Sequence, residues 1–376
     1  MVRSTVAHVD LAAVQANYRA ITDFLAWRPE GAPPRRAPRI IAVVKANAYG
    51  HGAAPVGLAL EQAGAQMLAC ADIEEALVLR AAGVRAAILV FGALSVSDLG
   101  GIFEHDLVPT ISTPTAARAV EAEAARRGVT IGYHLKIDTG MHRLGFAPGR
   151  AHEVHARLRA LPGVDRDVAL MTHFANSDVF DDAATARQIE CFERATARLE
   201  GERSLSNSAG VLGWPEAQGQ WIRVGGALYG ISVVAGRIGA DFGFRPAMTL
   251  STRLIAVKRV ARGEAIGYGG TFVCPEDMAV GVAAIGYGDG YPRHASARTA
   301  VLLRGRLAPV IGRVSMDLVT LDLRAHADAE VGDTVVLWGR GLPVEHVAAA
   351  ADTIGYELVC GMTRRVSFVD DEAPLP

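Results

Sequence analysis

The chain has 376 residues, of which 50 % are apolar and 21 % charged, and its formal net charge is −2. That composition supplies a large core and excludes a disordered chain. Without a basic run, nucleic-acid binding has no electrostatic footing. A prior of about 150 residues per domain, shifted by barrels of roughly 250, sets the expectation of one large and one small domain.

The start, MVRSTVAHVDLAAV, carries Asp10 and lacks the apolar stretch of a secretory signal. The uncharged segment around 224–236 is interrupted by Gly and Ser and is too short for a membrane span. Cys70, Cys191, Cys274 and Cys360 are far apart and read as free thiols rather than disulfides or a metal site. The expectation is a cytoplasmic protein with no membrane or nucleic-acid partner and no metal.

In chain order, Asp10 is placed to cap a helix whose Leu11, Val14, Tyr18 and Ile21 share one face. Apolar runs at 40–44, 67–71, 87–91, 107–111, 130–137, 168–174, 204–206 and 221–224 read as strands. Helix-like segments at 73–82, 116–127, 151–161 and 185–200 lie between them, and 209–220 holds only a short helix. Eight alternating strands predict an α/β fold, a (β/α)8 TIM-type barrel, over residues 1–240. An open doubly wound sheet is the alternative. From Met248 onward, β-branched runs at 254–260, 279–284, 300–303, 319–323 and 334–338, with one helical stretch at 344–353, predict a mostly β C-terminal domain over 241–376.

Catalytic groups of such barrels sit at the C-terminal ends of the strands. Lys45 ends the first run on the face of Ile41 and Val43, which points inward. A lysine at a dry strand end loses its proton readily, although a lysine reaching to solvent is the plainer reading. His134 and Lys136 share a face, and Arg143 follows in the next loop. Inward cations beside an arginine are costly unless they meet an anion. His173 ends another run, as a ring-packing residue or an ordinary core histidine. Ser208 follows the seventh run, and Arg223, Gly225 and Gly226 the eighth, where barrels commonly bind phosphate. Together these groups suit a planar phosphorylated aldehyde held by an amine, pyridoxal 5'-phosphate.

The run AVVKANAYGHG (42–52) resembles the alanine racemases, the fold-type III pyridoxal phosphate family. The resemblance recurs in order through HLKIDTGMHRLGF (134–146), THFANSD (172–178), SNSAG (206–210), RVGGALYG (223–230), GYGGTF (267–272), IGYGDGYPR (285–293), GRVSMD (312–317) and YELVC (356–360). It implies Lys45 as cofactor attachment point and one catalytic base, with Tyr268 as the other. It implies Tyr49, Ser208, Gly225, Gly226 and Tyr356 at the phosphate, His173 against the ring, Arg223 at the pyridine nitrogen and Arg143 at the phenolic oxygen. Arg143, Met316 and Asp317 match substrate-contacting positions. Met316, Asp317 and Tyr268 would come from a second subunit, so a head-to-tail homodimer with shared sites is implied. Lys136 matches a lysine that is often N-carboxylated.

Racemisation removes an α-proton from one face and returns one on the other, so two bases must flank the α-carbon. Lysine and tyrosine, both with reference pKa values near 10, suit the pair. The resemblance thus implies racemisation of L- and D-alanine, supplying D-alanine for peptidoglycan. By the resemblance, Asn47 favours alanine, and Tyr287 and Tyr356 match positions that narrow the substrate entrance and favour a small side chain. Two departures stand out: Ser315, where cysteine is frequent, and residues 365–368, which read Arg-Val-Ser-Phe. A decarboxylase of basic amino acids and a cofactor carrier without turnover are the competing readings. An acidic group at the pyridine nitrogen would favour the first and a lone barrel the second, whereas this chain has Arg223 and a further β region.

Overall fold

The computed structural model describes residues 4–27, 36–92, 94–129, 131–160, 164–295 and 299–370. Thr130 and Leu161, at the limits of two expected elements, lie outside them. Eight parallel strands form one sheet: Arg39–Val43, Met67–Cys70, Ala87–Val90, Leu107–Ile111, Ile131–Lys136, Val164–Met171, Glu202–Ser204 and Trp221–Val224. The first pairs with both the second (Ile41 with Met67) and the last (Arg39 with Trp221), so the sheet curls into a near-barrel. At the remaining seam the Arg223 amide donates to Ser206 O at 2.9 Å. The expected strands are all present within a few residues.

Side-chain alternation sorts each strand between two cores. Ile41, Val43, Met67, Ala69, Leu89, Ala169 and Trp221 form the barrel interior. Their alternates Ile40, Ala42 and Val44 join the core beneath the helices. The first helix, Leu11–Ala26, starts where expected, because the Asp10 carboxylate accepts from the Ala13 amide at 2.7 Å. The lower end of the interior is closed by Arg39, which lies 3.8 Å over the Trp221 ring and pairs with Glu202.

The second sheet is built on the long strand Met248–Val260, which pairs antiparallel with Met278–Ala283 and Thr334–Trp338. Ala300–Leu303, Arg306–Ile311 and Val319–Asp322 complete that part. Arg306–Ile311 and the short pair Ala265–Ile266 and Phe272–Val273 were not expected, nor were two further short strands. Val6–Val9 pairs antiparallel with Met248–Val260, and Ser367–Asp370 lies parallel to Val6–Val9. The N-terminal strand therefore sits in the second sheet, although the expected division at residue 240 groups it with the barrel. The unusual 365–368 segment has a packed place: Arg365 pairs with buried Asp289 at 3.3 Å and with Asp317. Among the described residues no helix is long and apolar enough to cross a membrane, and no group of three or more His, Cys, Asp or Glu is placed to hold a metal.

Candidate active site

The strand leading to Lys45 ends at Val43, and Lys45 does not extend it. It opens a left-handed turn instead. Ala46, Asn47, Ala48 and Tyr49 all have φ between 52° and 55°. Each L-residue in that region costs about 1–2 kcal/mol, so the turn needs outside support. Glu75 provides part of it, accepting from the Ala46 amide at 2.6 Å and the Ala71 amide at 2.8 Å. The Asn47 side chain accepts from the Ala53 amide at 2.8 Å. Gly50 lets the turn press on the backbone of Val359, which a Cβ there would strike. The half-buried Lys45 amine is held below the usual lysine range by burial and by Arg143, with Cys360 and Glu75 opposing.

Lys136 ends the Ile131–Lys136 strand inside the barrel and is 8 % exposed. Burial, then Arg223, Arg143 and Lys45, push its pKa down to about 8, with Asp138 opposing. Arg143 sits in the following loop, exposed in the single chain. That loop is shaped by Asp138, whose carboxylate accepts from the amides of Gly140 and His142 at 3.1 and 2.9 Å. His134 is buried and neutral, its pKa pushed down to about 3 by burial, Arg223 and Arg39.

Arg223 is 3 % exposed, and burial lowers its pKa to about 10. One terminal nitrogen donates to Ser204 O and Oγ, both at 2.7 Å. The other donates to Thr172 O at 2.6 Å and Leu205 O at 2.9 Å, and lies 3.3 Å from His173 Nδ1. Burial and Arg223 hold His173 well below the usual histidine range, so its ring is neutral.

Beyond the last barrel strand two glycines and several hydroxyls converge. The Gly225 amide donates to Ser208 Oγ at 2.9 Å. A Cβ on Gly225 would stand 2.5 Å from the Tyr49 hydroxyl, and one on Gly226 would overlap that of Tyr356. The Tyr49 ring packs on Tyr229 and Tyr356, with centroids 4.9 and 5.5 Å away. Burial raises the pKa of both Tyr49 and Tyr356, which keeps their hydroxyls protonated as donors. Donors converging where glycine alone leaves room make an anion cradle. Its fit to a phosphate, beside an amine, is what pyridoxal 5'-phosphate requires.

Tyr268 and Met316 stand apart, 68 % and 52 % exposed. The Tyr268 turn borders Arg313, and the Tyr287 amide donates to Ser315 O at 3.1 Å. Tyr268, Tyr287, Met316 and Asp317 thus lie on neighbouring loops of the β region. Sequence reasoning missed Glu75, Tyr229 and Cys360. Tyr229 stood within the RVGGALYG run, whereas nothing local marks Glu75.

The architecture is that of a parallel-barrel enzyme, with an amine of depressed pKa and an anion cradle at the strand ends where such folds bind phosphate. Residues 9–233 match the alanine racemase N-terminal domain family and 247–369 the C-terminal domain family. An alanine racemase of Shewanella loihica is 47 % identical over 330 residues, 88 % of this chain and 91 % of that protein. The biosynthetic alanine racemase of Pseudomonas aeruginosa superposes with a TM-score of 0.91 at 40 % identity, covering 98 % of this chain and all of that one. The Bartonella henselae alanine racemase, solved with covalently bound pyridoxal phosphate, is 25 % identical with a TM-score of 0.87, covering 98 % of this chain and 99 % of that one. The chain belongs to the alanine racemase family. It is an enzyme, an amino-acid racemase of the isomerase class.

Proposed function

We propose that the protein racemises L- and D-alanine with pyridoxal 5'-phosphate by a two-base mechanism, in the cytoplasm, supplying D-alanine for peptidoglycan. Residues 1–240 would hold the cofactor and 241–376 contribute the second base. The observation that carries the reading is the shared rim: a lysine of lowered pKa beside a cradle of Gly225, Gly226, Ser208, Tyr49 and Tyr356.

When bound, the cofactor supplies an electron-withdrawing ring that acidifies the α-proton of an attached amino acid. Lys45 anchors it, the cradle takes its phosphate, and neutral His173 packs against its ring. The terminal nitrogens of Arg223 are committed to protein acceptors, which leaves Nε–H as the donor toward the ring nitrogen. An arginine stays protonated there and cannot hand over a proton, so the ring nitrogen keeps its lone pair. Arg143 is the donor toward the phenolic oxygen and the substrate carboxylate.

Lys45 Nζ exchanges the α-proton on one face and the Tyr268 hydroxyl exchanges it on the other. Tyr268 acts across a head-to-tail homodimer, with Met316 and Asp317 bordering the substrate. The exposed apolar groups Tyr268, Tyr287 and Met316 on neighbouring loops support that assembly. Lys136 meets the requirement for N-carboxylation, because a pKa near 8 leaves a useful fraction of nucleophilic neutral amine. The carbamate would place an anion between Arg143 and Arg223 and offset their repulsion.

The test is a chirally resolved assay of purified protein with L- and D-alanine, serine and lysine. Equal approach to a racemic mixture from either alanine enantiomer is expected, with slower or no turnover of lysine. Carbon dioxide release, or bound cofactor without turnover, would overturn the reading.

A further inference from the structure

Near the C-terminal end of the chain, Arg365 reaches the two loops that carry Tyr287 and Met316. It is half-buried and lies just before the strand Ser367–Asp370, whose place is fixed by pairing with Val6–Val9. Its guanidinium meets a carboxylate on each loop. Nε lies 3.3 Å from Asp289 Oδ1, and a terminal nitrogen donates to Asp317 Oδ1. Asp289 is fully buried, whereas Asp317 is exposed in the single chain.

The inner end of this bridge is anchored. The Asp289 carboxylate accepts from the Gly286 amide at 3.0 Å, and its carbonyl accepts from the Thr363 amide at 3.2 Å. Thr363 Oγ1 donates to Gly288 O at 2.9 Å. The Met316 loop lies directly against this layer. The Tyr287 amide donates to Ser315 O at 3.1 Å and the Gly288 amide to Met316 O at 2.9 Å. A Cβ on Gly286 would stand 2.2 Å from Ser315 O, and one on Gly288 would stand 2.1 Å from an Arg365 terminal nitrogen.

An isolated exposed ion pair contributes little, because solvent screens it and fixing two side chains costs entropy. Arg365 differs, since a buried carboxylate already holds its guanidinium in place. The outer nitrogen therefore presents a directed, pre-oriented donor to Asp317. A lysine, a point charge on a flexible stem, cannot grip both carboxylates across two loops.

We propose that Arg365 is a positioning residue for substrate binding, a clamp that presses loop 314–318 onto loop 286–289. It thereby fixes Met316 and Asp317 where they border alanine in the partner's site. The identity of that substrate rests on the racemase reading above, whereas the clamp rests on contacts within one chain. Met316 and Asp317 border the substrate without exchanging its proton, so loosening them weakens ground state and transition state alike. Such a change raises KM and spares kcat.

The test compares the purified holoenzyme with Arg365→Lys, Asp317→Asn and the double variant. Each single substitution should raise KM for alanine about tenfold and leave kcat within about twofold, the effect of one lost charge-assisted hydrogen bond. Amide hydrogen exchange at Tyr287 and Gly288, whose bonds join the loops, should quicken about tenfold in each. Both substitutions break the same tie, so the double variant should be no worse than the single ones. Asp317 is exposed in the single chain, so Asp317→Asn decides the matter even where Arg365→Lys does not fold. Unchanged exchange in either folded variant, a fall in kcat with KM unmoved, or additive effects in the double variant would overturn the proposal. Exchange needs no turnover: a natural chain that fails to racemise alanine would sink the racemase reading, while the exchange rates would still decide the clamp.

Discussion

The Tyr49 hydroxyl occupies the space beside Gly225 so closely that a Cβ there would lie 2.5 Å from it. Gly225 has φ −118° and ψ −96°, outside both the helical and the extended regions, so glycine serves there for backbone freedom as well as for space. Gly225→Ala is therefore expected to strain the turn after the last barrel strand and force Tyr49 out of the cradle. Affinity for pyridoxal 5'-phosphate should fall at least about tenfold, the worth of one displaced charge-assisted hydrogen bond. Fluorescence titration of cofactor into the stripped protein measures it, and unchanged affinity would remove Tyr49 and Gly225 from the phosphate site.

Glu75 ties the left-handed turn to the Ala71 backbone, accepting from the amides of Ala46 and Ala71, and also raises the pKa of Lys45. The two roles separate by substitution. Glu75→Ala loses both, Glu75→Gln only the charge and one acceptor. Turnover should drop about tenfold in the alanine variant, where the lysine loses its fixed orientation, and far less in the glutamine variant. In both, the limb of the pH–rate profile that reports Lys45 should move to lower pH. Equal turnover in the two variants would mean that the turn holds itself.

Arg223 is a buried cation whose removal strands the carbonyls of Thr172, Ser204 and Leu205. Arg223→Met should lower unfolding free energy by about 3 kcal/mol or more, since each buried acceptor left without a partner costs ~1–3 kcal/mol. Urea denaturation of the cofactor-free protein tests this. A loss below 1 kcal/mol would show that water replaces the guanidinium.

Lys136 bears a folded-state pKa of about 8 against 10.5 for the unfolded chain. Between those values the unfolded state binds more protons, so the stability contribution of Lys136 rises with pH through that window and falls as pH drops toward 8. Below about pH 8 the buried cation destabilises the fold in full. In carbon-dioxide-free buffer at pH 7, Lys136→Met should then be more stable than the natural chain by about 1–3 kcal/mol, and this advantage should shrink toward pH 10.5. With 13C-bicarbonate present, a carbamate resonance is expected that the methionine variant lacks. A pH-independent difference would contradict the burial of a free amine.

Tyr268→Phe should slow racemisation unequally in the two directions while leaving the cofactor attached, and Lys45→Ala should abolish covalent attachment. Mixed Lys45→Ala and Tyr268→Phe chains should regain part of the activity, because a hybrid dimer has one intact site. No recovery despite proven subunit exchange would place both bases in one chain.

The barrel strands and the inner and outer faces of the first were legible in the sequence because alternation and β-branched runs are local signals. The same holds for the Asp10 cap, read from the polar residue before an apolar-periodic segment. Val6–Val9 and Ser367–Asp370 were not legible. Four residues carry little periodicity, and each becomes a strand only because the chain ends meet beside Met248–Val260. Nor does Ala46–Tyr49 announce positive φ, since none of the four is glycine.

By itself, then, the sequence determined the order of strands, the positions of the chemically active side chains and the glycines at the cradle. Those follow from residue type and spacing along one chain. Only the tertiary structure decided that Lys45 sits on a strained left-handed turn steadied by Glu75 and that Arg223 is spent on carbonyls. Each of these depends on groups far apart in the chain and on the loss of solvent between them, and burial, unlike spacing, exists only once the chain has folded.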